Sequence, residues 1–520
     1  MMEAFVSFVN DLVWSKPLVY GLLITGILFS LLMRFFQVRH FKEMIRLMFQ
    51  GEKSPTGISS FQAIAVSLAG RVGTGNIVGV STAIFIGGPG AVFWMWATAF
   101  LGASSAFIES TLGQIYKREI KGQYRGGPAY YIEAGIKGKV GKIYAIIFAL
   151  VTILSVGLLL PGVQSNAIAS SMKNAFGVNQ WVIAIVLALL LILIIFGGIK
   201  SIANVATAVV PFMAIIYIGL AVVIICLNIS EVPALISMIF KSAFGAEAAF
   251  GGIIGAMIEI GVKRGLYSNE AGQGTGPHAA AAAEVSHPAK QGLVQAFSVY
   301  VDTLFVCTAT ALMILMSGTF NTTDGTTNSD GTPHLIKDNG IYVEAADGSK
   351  DVSGTAMYAQ AGIDKAFSGG DYTFSPEFSG FGSYFIAFAL FFFAFTTILA
   401  YYYIAETNVS YIFPGRGQKI WINVVRIALV LATVYGTLKT ADLAWMMGDL
   451  GVGLMAWLNI IAIWILHKPA LKALKDFERQ KKAKGSGQYA IYKPDPNEVP
   501  TATFWHEDYP KRLKEYNIEE

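Results

Sequence analysis

The residues of this chain that could do chemistry are polar groups set inside long apolar runs. One run reads Ser67-Leu-Ala-Gly-Arg-Val-Gly-Thr-Gly-Asn-Ile-Val-Gly, with Gly70, Gly73, Gly75 and Gly79 falling inside ten residues. Glycine weakens a helix and lets its backbone open. At membrane depth, open backbone is tolerated only where it is buried or lines a cavity. Amides freed at the start of a half-helix point at an anion such as a carboxylate, and freed carbonyls can hold a cation. Asn76 adds a side-chain oxygen suited to a hard cation. Close packing of Gly70, Gly75 and Gly79 against a neighbouring helix is a competing reading. A nucleotide loop is not: the run fits neither G-x-G-x-x-G nor G-x-x-x-x-G-K-S/T, and no strand precedes it.

A second polar run, Gly261-Val-Lys-Arg-Gly-Leu-Tyr-Ser-Asn-Glu-Ala-Gly-Gln-Gly-Thr-Gly, interrupts another apolar stretch far downstream. Paired interruptions at corresponding places in two halves are the best sequence pointer to a transporter site. Gln164 sits deep in the run Leu160-Pro-Gly-Val-Gln-Ser-Asn166, either for a ligand or for a bond between helices. Thr396 and Thr397 offer hydroxyls that bind a cation or bond back to their own helix. Tyr401, Tyr402 and Tyr403 are site residues or interface aromatics. Acids in or near apolar runs are Glu109, Glu259, Asp302, Glu406, Asp442 and Asp449, each a candidate for a proton relay or an ion path. Glu109 and Glu406, near helix ends, read as structural, and Arg71 requires a partner that the sequence does not name. His278 and His287, nine residues apart, do not make a metal face. No nucleophile–base or metalloenzyme motif is present, so the reading is of a protein that is not an enzyme.

The elements that must position these groups are membrane helices. Of 520 residues, 54% are apolar and 14% charged, against about 25% charged in ordinary soluble domains. Cys226 and Cys307 both lie in apolar runs, which excludes a disulfide framework. A helix needs roughly 20 apolar residues to cross a bilayer. The expected fold is an all-α polytopic membrane protein of about 11 spans: 17–36, 61–87, 91–117, 142–172, 180–197, 203–228, 247–283, 290–318, 380–406, 420–438 and 442–467. The seventh reads as one crossing by a broken helix. The first reads as a retained helix and not a cleaved signal, since residues 1–16 lack a basic n-region.

Setting the first span aside as peripheral leaves ten, read as five plus five. The expected units are 1–60 as a peripheral helix and loop, 61–228 and 229–467 as two repeats, and 468–520 as a tail. Loops on one side carry 29 Lys and Arg and those on the other carry 7. By the positive-inside rule the N-terminus is outside and the C-terminus cytoplasmic. The insertion 319–379 reads as a polar extracytoplasmic cap with short strands, or a plain solvated loop. The basic stretch from Lys468 to Lys482 suits either a helix on an anionic membrane surface or a solvated tail.

The motifs Gly70-Arg-Val-Gly-Thr-Gly-Asn-Ile-Val-Gly79 and Gly87-Gly-Pro-Gly-Ala-Val-Phe-Trp-Met-Trp96 resemble the alanine or glycine:cation symporter family. So do Gly261 to Gly272, His287-Pro, Gln291-Gly-Leu and Asp302-Thr-Leu-Phe-Val-Cys307, and the likeness runs over about residues 10–470 outside the insertion. The resemblance implies a leucine-transporter-type five-plus-five inverted repeat with discontinuous helices and one extra N-terminal helix. It implies a multi-pass protein of the plasma membrane that takes up a small neutral amino acid, chiefly alanine or glycine, coupled to sodium. Proton-coupled uptake of a neutral amino acid such as glutamine or serine is the alternative. Sodium is the only cofactor implied, as a coupling ion, and no nucleic acid is a partner.

By the same resemblance Gly73, Thr74, Gly75, Asn76, Gln164 and Tyr401 contact the substrate, with the amides of Thr74 and Gly75 facing its carboxylate. The carbonyls of Ala69 and Val72 and the hydroxyls of Thr396 and Thr397 match the place where such folds hold sodium. One departure is that Tyr401 stands where many members carry tryptophan, which opens the site to a larger or more polar substrate. Gln273 and His278 also stand where apolar residues are expected. A titratable acid beside Asn76 favours protons, and a site lined by both threonines favours sodium.

Overall fold

A computed structural model describes residues 2–50, 56–246, 248–329, 332–344, 350–352, 355–368, 380–439, 441–487 and 490–511. The stretch 371–379 of the insertion and residues 512–520 of the tail lie outside the described residues. Among the described residues eight helices are long and apolar enough to cross a membrane, and a bent pair makes a ninth. Of the eleven expected spans, one is the 16-residue helix Gln180–Ile195, short for a full crossing, and one is a pair of helices of 16 and 7 residues, Ile254–Asn269 and Gly276–Ala282. The chain is built of helices, with short two-stranded ribbons between them.

The elements used below are α1 (Met2–Val13), α2 (Lys16–Leu32), α3 (Phe41–Phe49), α4 (Ser60–Arg71), α5 (Val80–Gly87) and α6 (Gly90–Ile115). They continue with α7 (Gly138–Phe176), α8 (Gln180–Ile195), α9 (Gly198–Leu227), α10 (Ile254–Asn269), α11 (Gly276–Ala282) and α12 (Pro288–Ser317). The last are α13 (Thr355–Phe367), α14 (Phe381–Ile412), α15 (Gln418–Leu438) and α16 (Ala441–Lys484).

Outer helices show one buried stripe and an apolar exposed face. On α8, Ile183, Leu187, Leu191 and Ile195 repeat every four residues against the core. Trp181, Ile185, Leu189 and Leu193 point outward, Leu193 being 76% exposed. On α9, Phe212 and Ile215 are likewise 65% and 71% exposed. In water such faces would be continuous sticky patches. In a bilayer they meet hydrocarbon at no cost, so the apolar surplus of the composition is spent on lipid contact as well as on the core.

The inner helices are broken where the sequence is glycine-rich. α4 starts with a capping box: Ser59 Oγ accepts from the Gln62 amide at 3.2 Å and Gln62 Oε1 accepts from the Ser59 amide at 3.0 Å. It ends at Val72, whose ψ of 90° is extended. A π-helical turn, Gly75–Gly79, then leads into α5, and the two halves bend by 53°. α10 ends at Glu270, which takes a left-handed φ of +55°. Gly272 and Gly274 follow at φ +90°, a conformation that needs glycine, and Pro277 opens α11.

Two further π-helical turns sit in the inner helices, Ser155–Leu159 in α7 and Tyr300–Cys307 in α12. Such turns cluster at functional sites because they re-aim side chains. The first ends two residues before Pro161, which lacks the amide that a regular helix would need there. α7 and α15 cross closely: a Cβ on Gly436 would overlap Gly162 Cα. Ser165 Oγ and Asn166 Nδ2 donate across this crossing to the carbonyls of Thr433 at 2.8 Å and Lys439 at 2.7 Å, which fixes the face that carries Gln164.

The insertion contains short strands, which agree with one of its two readings. Thr322–Thr327 pairs antiparallel with Pro333–Lys337, and Thr322 Oγ1 donates to the Ile84 carbonyl of α5 at 3.2 Å. α13 packs on α12 and α14.

The tail is not a plain solvated segment, since part of it packs on protein. α16 continues unbroken past Pro469 to Lys484, and Ala470, Ala473, Leu474 and Phe477 are buried against protein. The chain then folds back across the helix ends. Trp505 Nε1 donates to the Gln114 carbonyl at 2.9 Å, and the Tyr492 amide donates to the Ser286 carbonyl at 2.8 Å. Lys117 Nζ lies 4.2 Å from the Tyr124 ring centre and 4.4 Å from that of Phe504.

Candidate functional site

The two breaks meet in the middle of the helix bundle. Gly73, Thr74, Gly75 and Asn76 come from the first break, Ser268 and Glu270 from the second, Gln164 from α7, Asp302 from α12 and Thr397 and Tyr401 from α14. All of these side chains are buried. Gly73 is a position where only glycine fits, since a Cβ would stand 2.5 Å from Thr397 Oγ1 and 3.0 Å from Gln164 Oε1. Gly75 is packed almost as closely: a Cβ there would come within 3.1 Å of Ser268 Cα. Gly79, by contrast, has only Arg264 Cδ at 3.8 Å, so close packing accounts for some of the glycines and not for all.

Each polar side chain at the break has a defined task. Asn76 Oδ1 accepts from the Gly73 amide at 2.8 Å, and its Nδ2 donates to Asp302 Oδ1 at 2.7 Å. Asp302 Oδ2 accepts from Ser268 Oγ and from Thr303 Oγ1, each at 2.7 Å. Cys307 Sγ lies 3.3 Å from Asn76 Nδ2. The Thr74 amide and hydroxyl both donate to Gln164 Oε1, at 3.0 and 2.7 Å. Thr74 thus presents two donors, one from backbone and one from side chain, to a single acceptor oxygen.

Among the expected cation ligands, Thr397 reaches the open end of α4. Its Oγ1 is 2.9 Å from the Ala69 carbonyl oxygen and 3.5 Å from that of Val72. Thr396 is not brought to these carbonyls by any bond: its Oγ1 donates within α14, to Phe392 O at 2.9 Å and Phe393 O at 3.0 Å. Two carbonyls and a hydroxyl form an all-oxygen cradle of the kind hard cations prefer. Among the described residues no cluster of histidine, cysteine and carboxylate has metal-binding geometry.

Tyr401 lies against Glu270 in the second break, near Tyr267. Glu270 Oε2 accepts from Thr275 Oγ1 at 2.7 Å. Arg71 finds the partner that the sequence left unnamed: Nη1 donates to the Gln295 carbonyl at 3.1 Å and to Ser298 Oγ.

Other candidates sit in contacts away from the Asn76 and Thr74 bonds. Glu109 accepts from the Gly272 amide at 3.3 Å and from Asn459 Nδ2 at 2.6 Å, holding the second break open. Glu406 pairs with Arg125 at 2.6 Å, and Asp449 pairs with Arg264 at 2.9 Å. His278 shares a bond with Asn408, and His287 caps α12 by accepting from the Ala289 amide. Gln273 is buried, with its Nε2 near Met455 Sδ at 3.9 Å. Glu259 is exposed on α10, away from Asn76, and the side chain of Asp442 lies outside the described residues. Ser268 is a site residue that the sequence does not single out, and only its place one residue before Asn269 at the break marks it.

Comparison with known proteins follows the same lines. Residues 1–338 and 354–491 match the sodium:alanine symporter family. The Bacillus subtilis (strain 168) carrier protein YrbD is 55% identical over 514 residues, covering 98% of each chain. The sodium/proton-dependent alanine carrier protein of Bacillus sp. (strain PS3) is 47% identical over 472 residues, 91% of this chain and 99% of that one. The crystal structure of MhsT in complex with L-phenylalanine superposes with a TM-score of 0.52 at 12% identity, over 89% of this chain and 98% of that chain, a likeness of fold. With its paired helix breaks and its full-length match, the chain belongs to the sodium:alanine symporter family, and is a multi-pass membrane transporter and not an enzyme.

Proposed function

We propose that this protein couples inward sodium flow to the uptake of a small neutral amino acid of the alanine and glycine class. The observation that carries the reading is the cradle at the first break, where Ala69 O, Val72 O and Thr397 Oγ1 converge next to the donors of Thr74. Sodium is held at the carbonyl end of α4, and the substrate carboxylate is held at Thr74 and Gly75, replacing Gln164 Oε1 on the Thr74 amide and hydroxyl. Asn76, Gln164 and Tyr401 line the remainder, with Gly73 giving the room. Ion and substrate then stabilise the same outward-facing arrangement, and that shared preference is what couples them. The units 61–228 and 229–467 act as inverted repeats, each opening on its own broken helix, with the N-terminus outside and the C-terminus in the cytoplasm. The name of the Bacillus PS3 relative supports alanine as substrate and sodium as one driving ion.

Proton coupling is a second reading, and a specific contact favours it. Asp302 is a buried acid bonded to Asn76 at 2.7 Å, the placement expected of a carboxyl that gains and loses a proton during the cycle. Two variants separate the readings. Under sodium coupling, Thr397→Ala raises the sodium concentration for half-maximal alanine uptake by about tenfold, the loss of one of three oxygen contacts at roughly 1.4 kcal/mol. Under proton coupling, Asp302→Asn abolishes uptake driven by a proton gradient and leaves the sodium half-saturation unchanged. Unaltered sodium dependence in Thr397→Ala would remove the cradle from the mechanism.

A further inference from the structure

At the end of the bundle where α2 finishes, a groove of about 340 Å³ opens between α2 and the extension of α16. Its floor is apolar, formed by Leu32, Met33, Leu471 and Leu474. Its rim is basic, carrying Arg34, Arg39, Lys475, Arg479 and Lys482 against one acid, Glu478. Glu478 is already committed, to Arg39 and His40, each at 2.8 Å. Arg479 is held by Asp476. Arg34, Lys475 and Lys482 form no ion pair and no side-chain hydrogen bond with another described residue. Three unpaired cations around one small concavity repel one another, an arrangement that an anion relieves.

The depth of the groove says what kind of anion. Leu31, Leu32 and Phe35 are 55%, 46% and 43% exposed, so the apolar outer face of α2 runs up to the groove. Ile461 and Ile465 do the same on α16. The two helices are joined just below, where Trp464 Nε1 donates to Thr25 Oγ1 at 2.8 Å and the Phe29 and Trp464 rings lie 6.1 Å apart. The cations therefore begin where the lipid-facing apolar surface stops, which is where a phospholipid carries its phosphate. A basic pocket between helix ends with an apolar approach is suited to an anionic lipid headgroup.

We propose that this groove binds an anionic phospholipid, with its phosphate among Arg34, Lys475 and Lys482 and its upper acyl segments along Leu32 and Leu471. The contact bridges α2 to α16, two elements far apart in sequence, and does not involve the helix breaks.

The test uses the full-length protein in nanodiscs of mixed phosphatidylglycerol and phosphatidylcholine, with the retained lipids read by native mass spectrometry. The wild type retains phosphatidylglycerol in preference to phosphatidylcholine. The triple variant Arg34→Gln, Lys475→Gln, Lys482→Gln loses that preference, with retention weakened roughly fivefold per cation removed. A control triple of glutamines at Lys139, Lys173 and Lys241, exposed cations elsewhere, keeps it. Because all the altered residues are exposed, folding is not at stake. Equal retention in the wild type and the groove variant overturns the proposal, and so does equal loss in the control. Excess inorganic phosphate is the last arm. It leaves the bound lipid in place if the acyl contact matters, whereas complete displacement would mean a free-phosphate site and no lipid site.

Discussion

Asn76 ties the first break to α12. It satisfies the Gly73 amide on one side and Asp302 on the other, so replacing it strands a buried donor and strips a carboxylate of one of its donors. Each such stranded group costs about 1–3 kcal/mol. Asn76→Ala is therefore expected to lower sodium-dependent uptake by more than about tenfold while the protein still elutes as a folded species in gel filtration. Normal uptake would remove Asn76 from the site. The residue type and its place beside Gly75 were legible in the sequence, because glycine clusters and a lone amide stand out in an apolar run. Its partner was not. Asp302 is 226 residues away and was one acid among six, and only the packing of α12 against the break singles it out. Thr396 and Thr397 show the same limit. Neighbours in sequence, both hydroxyls lie by carbonyls of their own helix, but only Thr397 also reaches the Ala69 carbonyl. Helix phase separates them, since successive residues project about 100° apart.

At the scale of elements, the breaks were readable and the tail was not. Gly272 and Gly274 need positive φ, and a sequence that spends glycines so close together announces an opening. The segment after Lys484 carries no such mark. Its anchors, Phe504 and Trp505, are ordinary aromatics until the fold brings Gln114, 391 residues upstream, within reach. Trp505 is 2% exposed, and removing a buried aromatic costs about 3–5 kcal/mol. Trp505→Ala should thus release the tail from the helix ends. Trypsin should cut beyond Lys484 at least roughly ten times faster than in the wild type, with the spans left intact, since most of that energy is local to the tail. Unchanged cleavage would mean that the tail is held by its other contacts.

For the whole molecule, the apolar count alone established a membrane protein, and the exposed faces of α8 and α9 say where the lipid lies. Length and hydropathy do not fix the number of crossings. The helix Gln180–Ile195 is 16 residues long, and α10 with α11 makes its passage in two pieces. The charge bias of the loops gives an orientation that can be checked directly. In protein with Cys226 and Cys307 replaced by serine, a single cysteine at Ala483, which is exposed at the end of α16, should react with an impermeant maleimide in inverted vesicles and be protected in intact cells. Labelling in intact cells would reverse the assignment.

The central claim is that an ion gradient drives an amino acid through this site. It is tested most directly by labelled alanine uptake into proteoliposomes under an imposed sodium gradient, beside a matched proton gradient and a no-gradient control. Accumulation above the equilibrium level is expected with sodium, lowered by more than about tenfold in Asn76→Ala. Accumulation with protons alone would keep the fold and move the coupling to Asp302. The absence of accumulation under either gradient, from folded protein, would contradict the account.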